Sequence, residues 1–269
     1  MSAHIKLIDT HCHLDLDVFD HDRTRVIEQA SAVGIEAFIV PGVLASGWSD
    51  IEDLARDCTS VYAAYGLHPQ FVENHNGEDL RLLDQWLSRH SAVAVGEIGL
   101  DFTARESDRQ GQLFYFTEQL ALAKQHDLPV ILHVRKAHDD VIRHLVHSGI
   151  KGGTVHAFNG SLQQADRYID LGFKLGFGGM LTYPRSSRLR KLASCLPLEA
   201  IVLETDAPDM TGAAHQGKRN SPEYLPEILA ALAAIRPESA EDIAGVTTLS
   251  ARKLFQLPLS EEVNVHGFS

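Results

Sequence analysis

Two histidines separated by one residue, His11 and His13, are the first side chains in this sequence that could carry chemistry. They end a short apolar run, and the same placement recurs at the ends of later apolar runs, on Glu97, His133, His156 and Asp206. Imidazole and carboxylate groups in this combination suit divalent ions such as zinc and manganese. Burying the two carboxylates without a cation would be costly. The set therefore predicts a site for one or two divalent metal ions (Zn, Mn or Mg).

Eight short apolar runs must position these side chains. The predicted strands cover residues 6–13, 36–43, 61–68, 92–100, 129–134, 153–158, 173–178 and 200–206. Alternate residues of a strand face the same side, so Asp9, His11 and His13 share one face. Cys12 points to the other face and is interpreted as a buried apolar thiol.

Helical stretches alternate with the predicted strands, and this order implies parallel βαβ units. Ser161 and Pro222 are typical of helix starts, as an N-cap and a first-turn proline. Eight such units in 269 residues predict one α/β domain over 1–269, a single (β/α)8 TIM-type barrel. Residues 257–269 are expected to form a loosely held tail. An open doubly wound sheet is the alternative, disfavoured because no glycine-rich phosphate loop follows the first strand.

In a barrel of this type, catalytic residues come from the carboxyl ends of several strands. A single histidine or glutamate at a strand end is usually only hydrogen-bonded or solvated, but six such residues at five strand ends favour one shared site. The remaining histidines that we assign are interpreted as surface or loop residues: His4, His21, His75, His90, His126, His144, His147 and His266.

The charge balance limits the partners. Lys plus Arg number 24 against 36 Asp plus Glu, a formal net charge of -12, and no basic stripe of the kind that grips long duplex DNA is present. A nucleic-acid substrate would be held locally, at an end or on a short single strand. The three scattered cysteines do not suggest disulfides. Neither a signal peptide nor a membrane span is predicted, so we expect a cytoplasmic protein. For the oligomeric state, a monomer is favoured.

Several motifs occur in the order found in one enzyme family. They are DTHCHLD (9–15), GLHP (66–69), VGEIGLD (95–101), LPV (128–130) leading to His133, HAF (156–158), LETDAP (203–208) and KRN (218–220). Together they resemble the signatures of the TatD-type metal-dependent deoxyribonucleases, a branch of the amidohydrolase-like barrels. The resemblance covers almost the whole chain.

This resemblance implies a metal centre that hydrolyses phosphodiester bonds in DNA, often from the 3′ end. It implies that His11, His13, Glu97 and Asp206 hold one metal. Glu97 would bridge to a second metal completed by His133 and His156. The residues implied to face the substrate phosphate are His68, Arg135, Arg219 and Asn220, with Glu204 and Asp9 behind the ligands.

The residues themselves support the same chemistry. Asp206 could both ligate a metal and take the proton from a metal-activated water, whose pKa can fall to roughly 7. Arg135 lies two residues beyond His133 on the same strand face, which places its fork near a phosphate oxygen. By the resemblance, Glu97 and His68 complete the predicted catalytic set.

The substrate is less constrained than the chemistry. Val134, Asn159 and Ser221 stand where many family members have other residues, and these positions line the substrate side. One alternative is a hydrolase of the same barrel acting on a small ester, amide, lactone or aminoacyl-tRNA bond, since a fold does not fix a function. A non-enzymatic scaffold is a further alternative that the complete ligand set disfavours.

Overall fold

The computed structural model of the protein describes residues 5–104, 108–150 and 152–258. Within them, eight parallel strands pair in sequence order: β1 (Leu7–Asp9), β2 (Ile35–Pro41), β3 (Val61–Tyr65), β4 (Ala94–Asp101), β5 (Val130–Arg135), β6 (Gly153–Val155), β7 (Phe173–Phe177) and β8 (Ile201–Leu203). The order never reverses, whereas a doubly wound sheet requires a reversal. The predicted α/β barrel is confirmed, and the open sheet is excluded.

Backbone hydrogen bonds join the first strand to the last. The Thr10 N–H donates to the Leu203 carbonyl at 3.1 Å, and the Asp206 N–H donates to the His11 carbonyl at 2.8 Å. The β1–β8 seam therefore lies directly beneath the predicted metal ligands that follow these two strands.

Helices follow the strands and cover the outside of the sheet. Those that the structure describes are α1 (Arg23–Ala32), α2 (Trp48–Asp57), α3 (Gly77–Arg89), α4 (Arg109–Gln125), α5 (His138–Ser148), α6 (Leu162–Asp170), α7 (Ser187–Cys195), α8 (Leu225–Ala233) and α9 (Ala240–Phe255). Ser161 caps α6 as predicted, since its side chain accepts from the Gln164 N–H at 3.2 Å while Gln164 accepts from the Ser161 N–H at 2.9 Å. In the described part of the chain, no helix combines the length and apolarity needed to cross a membrane.

The core has two compartments separated by the sheet. In β2, Phe38 and Val40 belong to the large cluster against the helices, whereas the alternating Ala37 and Ile39 belong to a small cluster. That small cluster draws residues from strands all around the barrel, so it fills the barrel interior. Phe255 joins it from α9 and closes the barrel at the end opposite the metal ligands.

Several strands end earlier than predicted, and for four of them this changes where the site residues lie. β1 stops at Asp9, β3 at Tyr65, β6 at Val155 and β8 at Leu203. Beyond these points the chain leaves the ladder; for example, the His13 N–H donates to the Ala207 carbonyl at 2.7 Å rather than to β2. The ligands predicted at these strand ends therefore lie on short segments after the strands.

Two smaller expectations concern Cys12 and the tail at 257–269. Cys12 is a buried thiol in the large cluster, as predicted. Of the predicted tail, Leu257 is buried in the barrel-interior cluster, and residues 259–269 lie outside the described residues.

We predict that Phe255→Ala destabilises the protein by about 3–5 kcal/mol, because the ring is 2% exposed and its removal leaves a cavity. Chemical denaturation followed by circular dichroism measures this loss. Phe114→Ala is the matched control, since that ring is 52% exposed and its loss should cost under about 0.5 kcal/mol. Equal effects of the two substitutions would contradict a closing role for α9.

Candidate metal centre

The six predicted ligands converge at the carboxyl ends of the strands. Glu97 lies within β4 and His133 within β5, and the others follow β1, β6 and β8. Two of the connecting segments adopt left-handed backbone, at Ala157 (φ 44°) and Asp206 (φ 58°). This conformation is uncommon for residues with a Cβ and is concentrated at functional sites. The chain turns sharply here to aim its side chains inward.

One group of donor atoms surrounds a single point. The Nε2 atoms of His11 and His13 lie 3.2 Å apart, and Glu97 Oε2 lies 3.2 Å from His11 Nε2 and 3.6 Å from His13 Nε2. Asp206 Oδ1 lies 3.7 Å from each imidazole nitrogen. Ligand atoms sharing one tetrahedral zinc ion at about 2.0–2.2 Å lie roughly 3.3–3.6 Å apart. The observed separations, 3.2 to 3.7 Å, lie within about 0.1 Å of that range.

The other Glu97 oxygen faces a second group. Glu97 Oε1 lies 2.9 Å from His133 Nδ1 and 3.4 Å from His68 Nε2. The carboxylate therefore presents one oxygen to each group, which is the geometry of a bridging ligand. His68, predicted to face the substrate, is as close to Glu97 as a ligand would be.

His156 lies between the groups but nearer the first. Its ring stacks on His11 with centroids 3.8 Å apart, whereas the His133 centroid is 6.3 Å away. Donor atoms of His156 fall together with those of His11 and Glu97. The assignment of His156 to a second metal with His133 stays a prediction.

Carboxylates behind two of the histidines fix their orientation. Asp101 Oδ2 lies 3.0 Å from His133 Nε2, which leaves Nδ1 facing Glu97. Glu204 Oε1 lies 3.0 Å from His156 Nδ1 and accepts from the Ala157 N–H at 2.6 Å. Metal-bound histidines characteristically have such a carboxylate behind the ring, which sets the tautomer and raises the basicity of the ligating nitrogen.

Asp101 had no predicted role, although a signal was present. It stands four residues after Glu97 in the same strand, and alternate residues of a strand share a face. Its side chain also accepts from Gln70 Nε2 at 2.7 Å. Asp9, which was predicted to lie behind the ligands, accepts from Thr205 N–H at 3.0 Å and from the His11 N–H at 3.3 Å. These hydrogen bonds hold β1 and the segment after β8 together beneath the ligands.

The buried ionisable groups shift one another's pKa values. Burial by itself would raise the pKa of Glu97, but His11 and His68 hold that pKa well below its ordinary value, so the carboxylate is ionised. Burial would lower the pKa of His156, yet Glu204 and Asp206 raise it to about 10. Burial raises the pKa of Asp9 to about 7. The centre therefore carries ionised carboxylates that attract positive charge, whether protons or a metal ion.

Hydrogen bonding fixes the tautomer of His68. The Gln70 N–H donates to His68 Nδ1 at 3.1 Å, so Nδ1 carries no proton and Nε2 carries it. Burial lowers the pKa of His68 and keeps the ring neutral. His68 therefore acts as a hydrogen-bond donor towards the centre. His75, predicted as a surface or loop residue, is buried instead, with Nε2 2.9 Å from the His68 carbonyl oxygen; the turn after β3 folds it inward.

A cavity of about 970 Å³ opens over the centre. Its inner end is lined by predicted site residues, namely His13, His68, Glu97, His133, His156 and Asp206. Arg135 also lines it, with a side chain that is 53% exposed and a guanidinium nitrogen 3.9 Å from Asp101. Arg135 is thus placed beside the ligands, as expected.

The structure does not bring Arg219 and Asn220 to this cavity. The Arg219 guanidinium pairs with Asp22 at 2.7 Å and donates to the Val18 carbonyl. The buried Asn220 amide donates to the carbonyls of Thr205 and Asp209, at 2.8 and 2.7 Å. Their predicted contact with the substrate phosphate stays a prediction. In this structure Asn220 braces the segment that carries Asp206, and Arg219 lies in a separate surface pocket with Asp22.

The family profile described as "TatD related DNase" matches residues 8–256. The chain belongs to the TatD family. An Escherichia coli K12 relative in that family, named as an uncharacterized metal-dependent hydrolase YjjV, is 43% identical over 256 residues, covering 94% of this chain and 99% of the relative. The crystal structure of YjjV, a TatD homologue, superposes with a TM-score of 0.91 at 42% identity over 94% of this chain and 99% of its own.

A Rahnella relative is named a 3′-5′ ssDNA/RNA exonuclease TatD. It is 33% identical over 247 residues, covering 89% of this chain and 94% of the relative. Membership of the TatD family makes the chain a metal-dependent hydrolase, and its donor groups agree with that class. Donor atoms that lie within 4.8 Å of one another form three overlapping groups: His11, Glu97 and His156; His11, His13 and Asp206; and His68, Glu97 and His133. Apart from His68, whose Nε2 carries the proton, these residues could hold divalent ions.

Glu97→Gln should lower the metal content more than His68→Ala. The first substitution removes the charge that faces both donor groups, whereas the second removes only a neutral donor. Elemental analysis after dialysis against a divalent ion measures the difference. Equal metal loss in the two variants would contradict a bridging role for Glu97 and a donor role for His68.

Gly176→Ala should weaken metal binding about 10–100-fold, the usual effect of disturbing the groups behind the ligands. A Cβ at Gly176 would overlap the Glu204 carboxylate, which must then move away from His156. Isothermal titration with zinc measures the affinity. Gly245→Ala on α9 is the control, because a Cβ there meets no atom within 4 Å. Unchanged zinc affinity in Gly176→Ala would show that Glu204 does not position His156.

Proposed function

We propose that the protein is a metal-dependent phosphodiesterase that removes nucleotides from the ends of single-stranded nucleic acid, from 3′ to 5′. The observation that carries the proposal is the placement of Arg135 beside a bridged pair of donor groups in one open cavity. Relatives from Rahnella and Erwinia tasmaniensis, both named 3′-5′ ssDNA/RNA exonuclease TatD, are 33% and 32% identical to this chain and support the same direction.

When bound, a divalent ion supplies Lewis acidity, which lowers the pKa of water and offsets charge on a phosphate. The chain's own groups supply the proton acceptor. Asp206 is the most accessible carboxylate of the centre, with a side chain 13% exposed against 3% for Glu97 and 1% for Glu204. It also lines the cavity, so it can accept a proton from the attacking water.

Two residues are suited to hold the phosphate. The Arg135 fork is half exposed at the cavity wall and can donate two parallel hydrogen bonds to non-bridging oxygens. His68 Nε2 carries a proton and lies 3.4 Å from Glu97 Oε1. This distance is too long for a full hydrogen bond, so the proton can be donated to another acceptor. A phosphate oxygen entering the cavity would accept this proton in a hydrogen bond.

The net charge limits how the nucleic acid is held. With a formal charge of -12, the protein would repel a long duplex except where cations face the substrate. Described cations that line the cavity are Arg135, Arg185 and Arg188. This supports recognition of a chain end through a few contacts rather than binding within long duplex DNA.

A 5′-labelled single strand and covalently closed circular DNA distinguish the modes of action. We expect one-nucleotide shortening of the strand from its 3′ end and no nicking of the circle. Chelation should abolish the activity and a divalent ion should restore it. Rapid nicking of the circle would contradict end trimming, and action on neither substrate would favour the small ester or amide hydrolase instead.

Asp206→Asn should lower kcat about 10²–10⁴-fold, the range for loss of a general base. Asp166→Asn makes the same change on an exposed face of α6 and should leave kcat unchanged. Comparable rates in the two variants would exclude Asp206 as the proton acceptor.

A further inference from the structure

The cavity extends well beyond the metal centre. Its outer wall is formed by the segment before α7 and the first turns of that helix, including Arg185, Arg188 and Leu189. At about 970 Å³ the cavity lies near the upper end of the range for small-molecule sites and has room for more than one phosphate group.

Arg185 and Arg188 are distinguished from most other arginines by their lack of an acidic partner. Nine of the fifteen arginines that the structure describes lie within 4.0 Å of a carboxylate, including Arg219 on Asp22. Among the described residues, neither Arg185 nor Arg188 has such a partner. In a protein of net charge -12, two unpaired guanidinium groups on one cavity wall form an anion-attracting surface.

Contacts with uncharged groups orient both side chains. The Arg185 guanidinium lies 5.0 Å from the centroid of the Tyr183 ring. Arg188 contacts the Gly160 carbonyl at 3.5 Å, on the loop after β6. Arg190, by contrast, donates to the Leu181 carbonyl at 2.8 Å and does not line the cavity. Of these three arginines, Arg190 thus makes a structural contact, whereas Arg185 and Arg188 line the cavity.

Apolar side chains also line the cavity that contains the metal centre and these arginines. They include Phe158, Phe177, Met180 and Leu192. A nucleoside has this character, because its base offers an apolar face that stacks on aromatic rings. A nucleic-acid strand would thus place one phosphate at the centre, a nucleoside against this wall and another phosphate at the arginines.

We propose that Arg185 and Arg188 form a second phosphate subsite, which binds a phosphate of the strand other than the one being cleaved. This inference rests on the proposed nuclease function and specifies its substrate as an oligonucleotide rather than an isolated phosphodiester.

Two oligothymidylates test the subsite. TpT carries one phosphodiester and can occupy only the centre, whereas tetrathymidylate carries three. Arg185→Gln/Arg188→Gln should lower kcat/KM for tetrathymidylate about 10–100-fold, the range for loss of charge-assisted hydrogen bonds. The same variant should cleave TpT at the wild-type rate. Arg167→Gln, on an exposed position of α6 outside the cavity, is the matched control and should change neither substrate.

Equal loss of kcat/KM on both oligonucleotides would overturn the proposal, since the arginines would then contact the scissile phosphate or stabilise the fold. No loss on either would also overturn it. A thermal unfolding curve that coincides with that of the wild type would confirm that the double variant is folded.

Binding provides a measurement that does not depend on cleavage. With chelator present, the affinity for labelled tetrathymidylate is measured against salt concentration. Each phosphate that is no longer neutralised lowers the magnitude of the slope of log affinity against log salt by about 0.7 for single strands. The double variant loses the one phosphate of the subsite, so its slope should fall by about 0.7. A changed slope without any cleavage by the wild type would retain the subsite and reject the nuclease. An unchanged slope with normal cleavage would do the reverse.

Discussion

A carboxylate that is 2% exposed stays ionised only if its surroundings compensate its charge, and Glu97 is such a carboxylate. His11, His68 and His133 approach its two oxygens and provide that compensation. Two further carboxylates lie behind the histidine rings: Asp101 contacts His133, and Glu204 contacts His156. The arrangement places positive or polarised groups next to negative ones from the barrel centre to its rim. A divalent cation fits the same pattern because it adds positive charge where the acidic oxygens meet.

This constraint explains how much of the centre could be predicted from the sequence. A buried parallel sheet admits few ionisable groups, so His11, Glu97 and His133 at successive strand ends are conspicuous against apolar runs. The sequential order of strand and helix then places them on one rim, whichever helices cover the outside. Neither step requires knowledge of any long-range contact. The donor groups were accordingly predicted and they converge in the structure, although several lie on segments beyond the strands that were expected to contain them.

Long-range pairing sets the limit of such reasoning. Arg219 follows a family motif, but its partner Asp22 is nearly two hundred residues earlier, and no local pattern connects the two. His75 is a short-range case: it is buried because the turn after β3 folds it against the His68 carbonyl, and no sequence pattern indicates that turn. Arg185 and Arg188 have no periodic or motif signal at all. Their position becomes visible only when the chain has folded and most of the described arginines are seen to have carboxylate partners.

The β1–β8 seam has a consequence for the order of events in the cell. Asp9 and Thr205, which hydrogen-bond across it, are 196 residues apart in the chain. During synthesis the pair of histidines after β1 leaves the ribosome early, while the acidic ligand after β8 emerges only when most of the polypeptide exists. The full donor set therefore forms after the last strand has docked against the first. Because an ion that binds only the folded state stabilises that state, metal acquisition favours complete chains over nascent or truncated ones.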